Sequence, residues 1–463
     1  MLRRKTSLLI KTGFFLVSFF YLNSVWALSL MQAYQAALAN DSVYRSAKLE
    51  NEAGQQFKHI GRANLLPNLS ANYAYNRNNT DITTQSALIT RREDRNYTSK
   101  NGVIQLRQPI FNLENWALYK QGNAQTNLSD KQLLVSQQAL ITRFFELYVS
   151  ANYAQDVLAL AVAQNDALKT QVGANQSMAV RGEGTKTALI ESQAKFGLAQ
   201  AQVIESQDSV IDSRNALAIM LGQEVVALDT LSNDFNLLTS APSSFEEWRS
   251  LALLHNPEIA AQRENIEIAY QQIKRNRAGH APRLDAIASL SKSDSDTVAT
   301  FQQNIDNKLV GLQLNVPIYS GGSVNALTSQ AEANYRKSQA DLDTTINEVM
   351  LDLRKHFSSL ASSTLKIEAL KQSVASAELL ITATKKSLTG GVRTNLDVLD
   401  ARTQLFVAKR DLSLARYNYL VAYIGIRNAA GNLSVKDLEA VSVYFTPQTR
   451  TVLLEEDDRA TVN

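Results

Sequence analysis

The chain says nearly the same thing twice. ALAND, with Asn40, is answered by ALLHN, with Asn256. LLPNLSANYAY, with Pro67, returns as HAPRLDAIASL, with Pro282, and QLRQPIF, with Pro109, returns as QLNVPIY, with Pro317. Each second strand is followed by a helix-forming stretch of roughly a hundred residues, broken once by a glycine pair. The pairs are Gly182/Gly184 and Gly390/Gly391. The copies lie about 210 residues apart, far beyond solenoid periods, so the repeat is a duplicated half-domain. A duplicated short helix, strand pair and helical hairpin gives pseudo-symmetry, which suits a tube.

The strands alternate. Leu69, Ala71, Tyr73 and Tyr75 interleave with Asn68, Ser70, Asn72 and Asn76, and Ile104, Leu106 and Ile110 with Gln105, Arg107 and Pro109. The second copy repeats this weakly at Leu284, Ala286, Ala288 and Leu290, and clearly at Val310, Leu312, Leu314, Val316 and Ile318. Period-two alternation makes one apolar and one polar face. A soluble sandwich shows the same alternation, but each run reaches the ~9–11 residues of a tilted membrane strand. The connections Thr80–Lys100 and Ser293–Lys308 are long and polar, like external barrel loops. The smallest outer-membrane barrels have about eight strands. Open edges in hydrocarbon cost several kcal/mol per unpaired group. Four membrane strands therefore require several chains per barrel.

The helices show a coiled-coil seam. Ile367, Leu370, Val374, Ala377, Ile381 and Leu388 follow three-four spacing. Val398, Ala401, Leu405, Ala408, Leu412, Ala415 and Tyr419 continue it after the glycines, and Leu189, Phe196, Ala199, Val203 and Val210 give a looser version in the first copy. A plain bundle core predicts the same stripe, and length separates the two. At ~1.5 Å per residue, a helix from Trp116 to Arg181 runs about 100 Å. Leu30–Ile60 and Thr185–Leu221 run about 47 and 55 Å and match it end to end. The second copy gives the same sum, as a uniform cylinder wall requires.

Composition narrows the setting. The chain has 463 residues, 45% of them hydrophobic, and a net charge of +3 with both signs mixed, so no nucleic-acid footprint stands out. Four scattered histidines (His59, His255, His280, His356) and no cysteine remove thiolate metal sites, disulfides and a lipid-carrying cysteine. No nucleophile–base pair, phosphate loop or metal cluster is legible, so neither an enzyme nor a cofactor is expected. Arg3, Arg4, Lys5 and Lys11 precede an apolar run from Thr12 to Leu22, and Val25-Trp26-Ala27 fits a cleavage site. Residues 1–27 read as a secretory signal peptide.

Gly390 to Leu433, GGVRTNLDVLDARTQLFVAKRDLSLARYNYLVAYIGIRNAAGNL, strongly resembles the C-terminal helix of TolC-family outer-membrane efflux proteins. SLMQAYQAALANDSVYRSA, HAPRLD and NVPIYSGGSVNA also resemble their family counterparts, in the same order. The resemblance implies a mainly α fold with β. Three copies would build one twelve-stranded outer-membrane barrel, continuous with a periplasmic helical tunnel and a mixed equatorial belt. On this scheme 28–223 is the first repeat, 224–251 an equatorial connection and 252–431 the second repeat. Residues 432–463 supply a belt segment and a polar tail containing Glu455-Glu456-Asp457-Asp458. The implied role is the exit duct of a tripartite machine for drug efflux, type I protein secretion or both. Its partners would be a periplasmic adaptor, an inner-membrane RND or ABC transporter, and outer-membrane lipid. A periplasmic coiled-coil scaffold is the alternative; it explains the helices but not the strands.

The resemblance also marks sites. Arg393, Asp397 and Asp400 match the family's aperture residues, the aspartates forming the narrowest ring of the closed tunnel. In a trimer they would give six carboxylates, with some expected to take up protons more readily than isolated ones. Thr394 followed by Asp397 also reads as a capping box, which accounts for Asp397 better than for Asp400. The chain departs from the family where a locking tyrosine would fall, at Leu388, and where the arginine's aspartate partner would fall, at Ala188. Glu191 or a neighbouring chain's aspartate is then expected to pair with Arg393. The hairpin tips, Arg181, Gly182, Glu183 and Gly184 in one and Gly390, Gly391 and Val392 in the other, are the expected adaptor-docking surface.

Overall fold

A computed structural model describes residues 27–232, 235, 237, 242–295 and 303–446. The expected signal peptide as far as Trp26, the expected belt position Asn233 and the acidic run Glu455–Asp458 lie outside the described residues. Three short helices, α1 (Leu30–Asn40), α2 (Ser42–Gly54) and α3 (Phe57–Ala63), lead into β1 (Asn68–Gln85) and β2 (Thr90–Phe111). The hairpin α4 (Leu113–Val180) and α5 (Lys186–Leu221) follows, and then a two-residue strand β3 (Thr230–Leu231). The second copy runs α6 (Phe245–His255), α7 (Pro257–Arg277), β4 (Arg283–Ser295), β5 (Gln303–Asn315), α8 (Ser323–Thr389) and α9 (Asn395–Ala429). α10 (Val435–Ser442) and β6 (Phe445–Thr446) close the described chain.

Helices of 68 and 67 residues, α4 and α8, each run about 100 Å. Between and beside them the shorter helices form two composite columns. α2 and α3 pack on the upper part of α4 and α5 on its lower part; α7 and then α9 fill the space between α4 and α8. The wall of one chain is thus four columns wide, two continuous and two composite. The stretch expected as one helix from Leu30 to Ile60 is three, because Asp41 caps a new helix through Tyr44 N (2.6 Å) and Gln55–Gln56 interrupts the next.

The joints of the composite columns explain the matched asparagines. Asn40 Nδ2 donates to Leu221 O (2.8 Å), capping the end of α5. Asn256 Nδ2 donates to Ala429 O (3.0 Å), capping the end of α9. Asn256 also starts α7, its Oδ1 accepting from Glu258 N and Ile259 N. One side chain therefore satisfies orphan groups of two helices that meet end on.

The strands form one antiparallel sheet in the order β1-β2-β4-β5. Its register lines up Leu69, Leu106, Ala288 and Val310 across all four strands, and Ala71, Ile104 and Leu290 across three. Directly paired residues share a face, so the apolar set forms one exposed band, while Ser70, Gln105 and Ser289 line the other face. The β2 ladder to β4 shifts between Pro109 and Phe111, where proline has no N–H to give. β5 ends at Asn315, short of the expected Ile318. The segment expected as a loop from Thr80 to Lys100 is instead a ribbon, paired from Thr80↔Arg95 to Gln85↔Thr90. The second connection is likewise shorter than expected at both ends, with pairing out to Ser295↔Gln303. No helix among the described residues is long and apolar enough to cross a membrane.

The main core lies at mid-height, where the two hairpins meet the short belt elements. Tyr34, Phe144, Tyr148, Tyr417 and Tyr419 are fully buried there, joined by Leu438 of α10 and Phe445 of β6. The β3–β6 pair and a bridge between Leu28 and Leu228 stitch the belt. A second cluster holds Trp248 of α6 against Val349, Leu353 and Ile426, under the Asn256 joint.

Candidate functional site

At the end of the helical wall farthest from the sheet, each hairpin turns through a glycine. Gly182 and Gly391 both have φ +73°, a conformation that costs an L side chain roughly 1–2 kcal/mol. After each glycine the chain bonds back to the helix it has left: Glu183 N to Met178 O (2.9 Å), Val392 N to Ser387 O (3.0 Å). A threonine then caps the next helix, Thr185 for α5 and Thr394 for α9. The tips are matched in form and differ in chemistry. Two residues past the left-handed glycine stands Gly184 in one and Arg393 in the other. Arg181 and Glu183 pair across the first turn at 2.9 Å, and Val392 is 81% exposed on the second. Asn395 Nδ2 lies 3.8 Å from Met178 Sδ, so the two tips sit side by side.

Both expected aperture aspartates have partners within the chain. Asp397 completes a capping box: Oδ2 accepts from Thr394 N (2.8 Å) and from Thr394 Oγ1 (2.9 Å). Its Oδ1 accepts from Arg393 at 3.1 Å. These bonds, the backbone one foremost, hold its carboxyl below the usual aspartate range. Within one chain, then, the direction for Asp397 is opposite to the proton uptake expected of a crowded ring. Arg393 is paired one helical turn away, not with Glu191. Ala188 serves through its carbonyl, which accepts from Asn175 Nδ2 at 3.2 Å. Asp400 forms an ion pair with Lys195 of α5. Sequence reasoning missed Lys195, because no spacing rule links positions 205 residues apart.

A second polar cluster lies about 35 Å up the wall, some 25 residues from the tip of α4. Asp156 Oδ2 accepts from Ser413 Oγ (2.8 Å) and Tyr417 Oη (3.0 Å), joining α4 to α9 beside Arg416. Burial pushes the Asp156 carboxyl up despite these bonds, and it pushes the Tyr417 phenol up as well. Among the described residues, no group of three His, Asp or Glu side chains is placed to hold a metal ion.

An open sheet with one apolar face, set on a wall of helices about 100 Å long, describes one segment of a membrane-anchored tube. The chain matches the family described as outer membrane efflux protein over residues 33–223 and 248–432, and it belongs to that family. It is 40% identical over 422 residues to the alkaline protease secretion protein AprF of Pseudomonas aeruginosa, covering 91% of this chain and 88% of that protein. It is 36% identical over 429 residues to the proteases secretion protein PrtF of Dickeya chrysanthemi, covering 91% and 92%. Among solved structures, the outer membrane protein VceC of Vibrio cholerae superposes with a TM-score of 0.75 at 19% identity, over 87% of this chain and 96% of that one.

Proposed function

We propose that the chain is the outer-membrane exit duct of a tripartite export machine, a passive channel opened at its helical tips when an adaptor and an inner-membrane transporter dock. The observation that carries this reading is the sheet. One apolar row, Leu69–Leu106–Ala288–Val310, crosses all four strands, yet β1 and β5 are free edges, so one chain has a lipid-compatible face and no closed barrel. Three copies would supply twelve strands, within the range of known outer-membrane barrels.

The helical wall supports ring closure by the same logic. Its edge columns carry exposed apolar stripes, Ile190, Leu198, Ile204, Ile211 and Ile219 on α5 and Leu351, Leu365 and Leu379 on α8. Their spacing of about seven or fourteen residues is that of a coiled-coil seam awaiting its partner helix. α5 of one copy against α8 of the next is a heterologous contact that repeats around a ring.

A duct of this build suits either polypeptide secretion or drug efflux. The relatives AprF and PrtF carry protease secretion in their names, which favours a secreted protein as the principal cargo. Deleting the gene should remove one or more proteins from the culture medium and leave drug susceptibility little changed. Unchanged secretion with lowered drug tolerance would move the assignment to efflux.

Adaptor docking falls to the two tips, Arg181–Gly184 and Gly390–Val392, where small residues let another backbone approach. The chain has no cysteine, so single cysteines at Glu183 and Val392 report without background. Both should crosslink to the cognate adaptor in cells. Failure at both, with capture at the belt position Asn233, would place docking elsewhere.

A further inference from the structure

We propose that the lipid-facing lysines Lys100, Lys292 and Lys308 bind a lipid bearing more than one phosphate, in the membrane leaflet away from the helical wall. On the duct reading, on which this rests, that leaflet is the outward one. The sheet carries its charge on the side where a barrel is normally apolar. On the face of Ser70, Gln105 and Ser289, the next two rows away from the helices are Asn72–Val103–Ser291–Asn307 and Ala74–Asn101–Ser293–Ile305, and neither holds a charge. On the apolar face, the row after Leu69–Leu106–Ala288–Val310 is Ala71–Ile104–Leu290–Lys308. Tyr73–Gly102–Lys292–Asp306 and Tyr75–Lys100–Asp294–Asn304 follow, and Arg77 stands one row farther on.

A lysine facing hydrocarbon is costly and one at the membrane surface nearly free, so these rows lie where the hydrocarbon ends. Tyr73 and Tyr75, both exposed, are of the type that sits at that boundary. The rows are far from Asn68, Phe111 and Asn315, where the strands join the helices, which sets them in the leaflet away from the wall. The three lysines form a connected set. Lys292 stands diagonally from Lys308 on one side and from Lys100 on the other, at Cα separations of ~7–8 Å. Gly102, directly opposite Lys292, has no side chain to fill the space between them: a Cβ there would meet only Tyr73, at 3.7 Å, and the Lys292 carbonyl, at 3.9 Å.

The neighbouring carboxylates hold these lysines weakly. Lys100–Asp294 and Lys292–Asp306 are both 4.0 Å apart and exposed, the kind of pair that contributes little. Lys308 forms no ion pair among the described residues. Three ammonium groups around one open position suit several phosphates on one headgroup better than a single monoanion. Exposed Ile104, Leu290 and Val310 lie directly beneath. A lipid covers them with its acyl chains while its headgroup meets the lysines, whereas a free phosphate leaves them bare.

The probe is the bisphosphorylated glycolipid lipid A, added to the assembled channel in detergent and counted as bound adducts by native mass spectrometry. Wild type should bind it about tenfold more tightly than the same lipid stripped of phosphate. Lys292→Gln should weaken binding about fivefold, the effect of one basic residue at an anionic membrane surface. Lys100→Gln/Lys292→Gln/Lys308→Gln should remove the preference for phosphate, and Lys292→Arg should keep wild-type affinity. Arg91→Gln/Arg92→Gln, a like loss of charge farther out on the ribbon, should change nothing. Equal binding of the dephosphorylated lipid would overturn the proposal, as would an equal loss from the ribbon variant. Displacement of the lipid by equimolar inorganic pyrophosphate would also overturn it, by making the site one for a free anion. If the triple variant fails to assemble, Lys292→Gln decides alone. A chain that never enters outer membranes contradicts the duct reading itself, whereas an inserted assembly indifferent to these lysines contradicts only the lipid site.

Discussion

Two aspartates of the helical wall respond to their surroundings in opposite directions. Asp156 is half-buried between α4 and α9, and its desolvation lifts its carboxyl above the usual range even though Ser413 and Tyr417 donate to it. A carboxyl raised in the folded state binds its proton before the unfolded chain does, so stability increases as pH falls through the raised value. The gain is complete near pH 4, the ordinary aspartate range. Asp156→Asn should therefore melt with a flatter pH profile between neutrality and pH 4 than wild type. An unchanged profile would mean that water reaches the site. Tyr417→Phe removes one donor from a half-buried acceptor and should cost about 1–3 kcal/mol in denaturant titrations. Asp397 runs the other way. Its carboxyl is held low by the Thr394 backbone and by Arg393, so its cap survives to below pH 4 and is lost only as pH falls through that lowered value. Amide exchange at the start of α9 should stay slow at pH 4.5; fast exchange there would contradict the cap. The Asp397 cap was legible because it is local, three residues from Thr394. The pairing of Asp400 with Lys195, and that of Asp156 with residues more than 250 positions away, depend on how the hairpins lie together, which spacing along one helix does not encode.

The duplicated joints show the fold at the level of elements. Both place a left-handed glycine against an asparagine, but the glycines differ in what surrounds them. A Cβ on Gly431 would lie 2.4 Å from Asn256 Cα and 2.5 Å from His255 O, which are backbone atoms with nowhere to go. On Gly222 the nearest atoms belong to the Asn40 side chain, at 2.8 Å, and turning it aside gives up its bond to Leu221 O. With φ of +75° and +67°, both positions add the left-handed penalty. Gly431→Ala should then cost about 3–5 kcal/mol and Gly222→Ala about 2–3 kcal/mol. Equal melting shifts for the two would show that the copies are more alike than their packing implies. The repeat itself could be read from Asn40 and Asn256, and so could the alternation that sets the sheet register. The ribbon beyond Thr80 was hidden because its strands carry Asn, Thr, Arg and Asp on both faces, leaving no hydrophobic period to follow. The break of the first short column was hidden because Asp41 and Gln55–Gln56 interrupt helices that would be continuous on propensity alone.

At the scale of the whole molecule, a single chain is unfinished in two places at once: the sheet has free edges, and the outer helical columns have uncovered apolar stripes. Both are completed by the same operation, rotation of further copies about the tube axis. Charged substitutions on either stripe, Ile204→Asp on α5 or Leu365→Asp on α8, should block assembly while leaving helix content intact. The most direct test of the whole account is the native mass of the protein extracted from outer membranes in detergent. Three chains per particle, with no folded single chain in the same extract, is the expected result. A stable, folded monomer inserted in the membrane would contradict it, because four strands with two open edges would then be surviving in lipid alone.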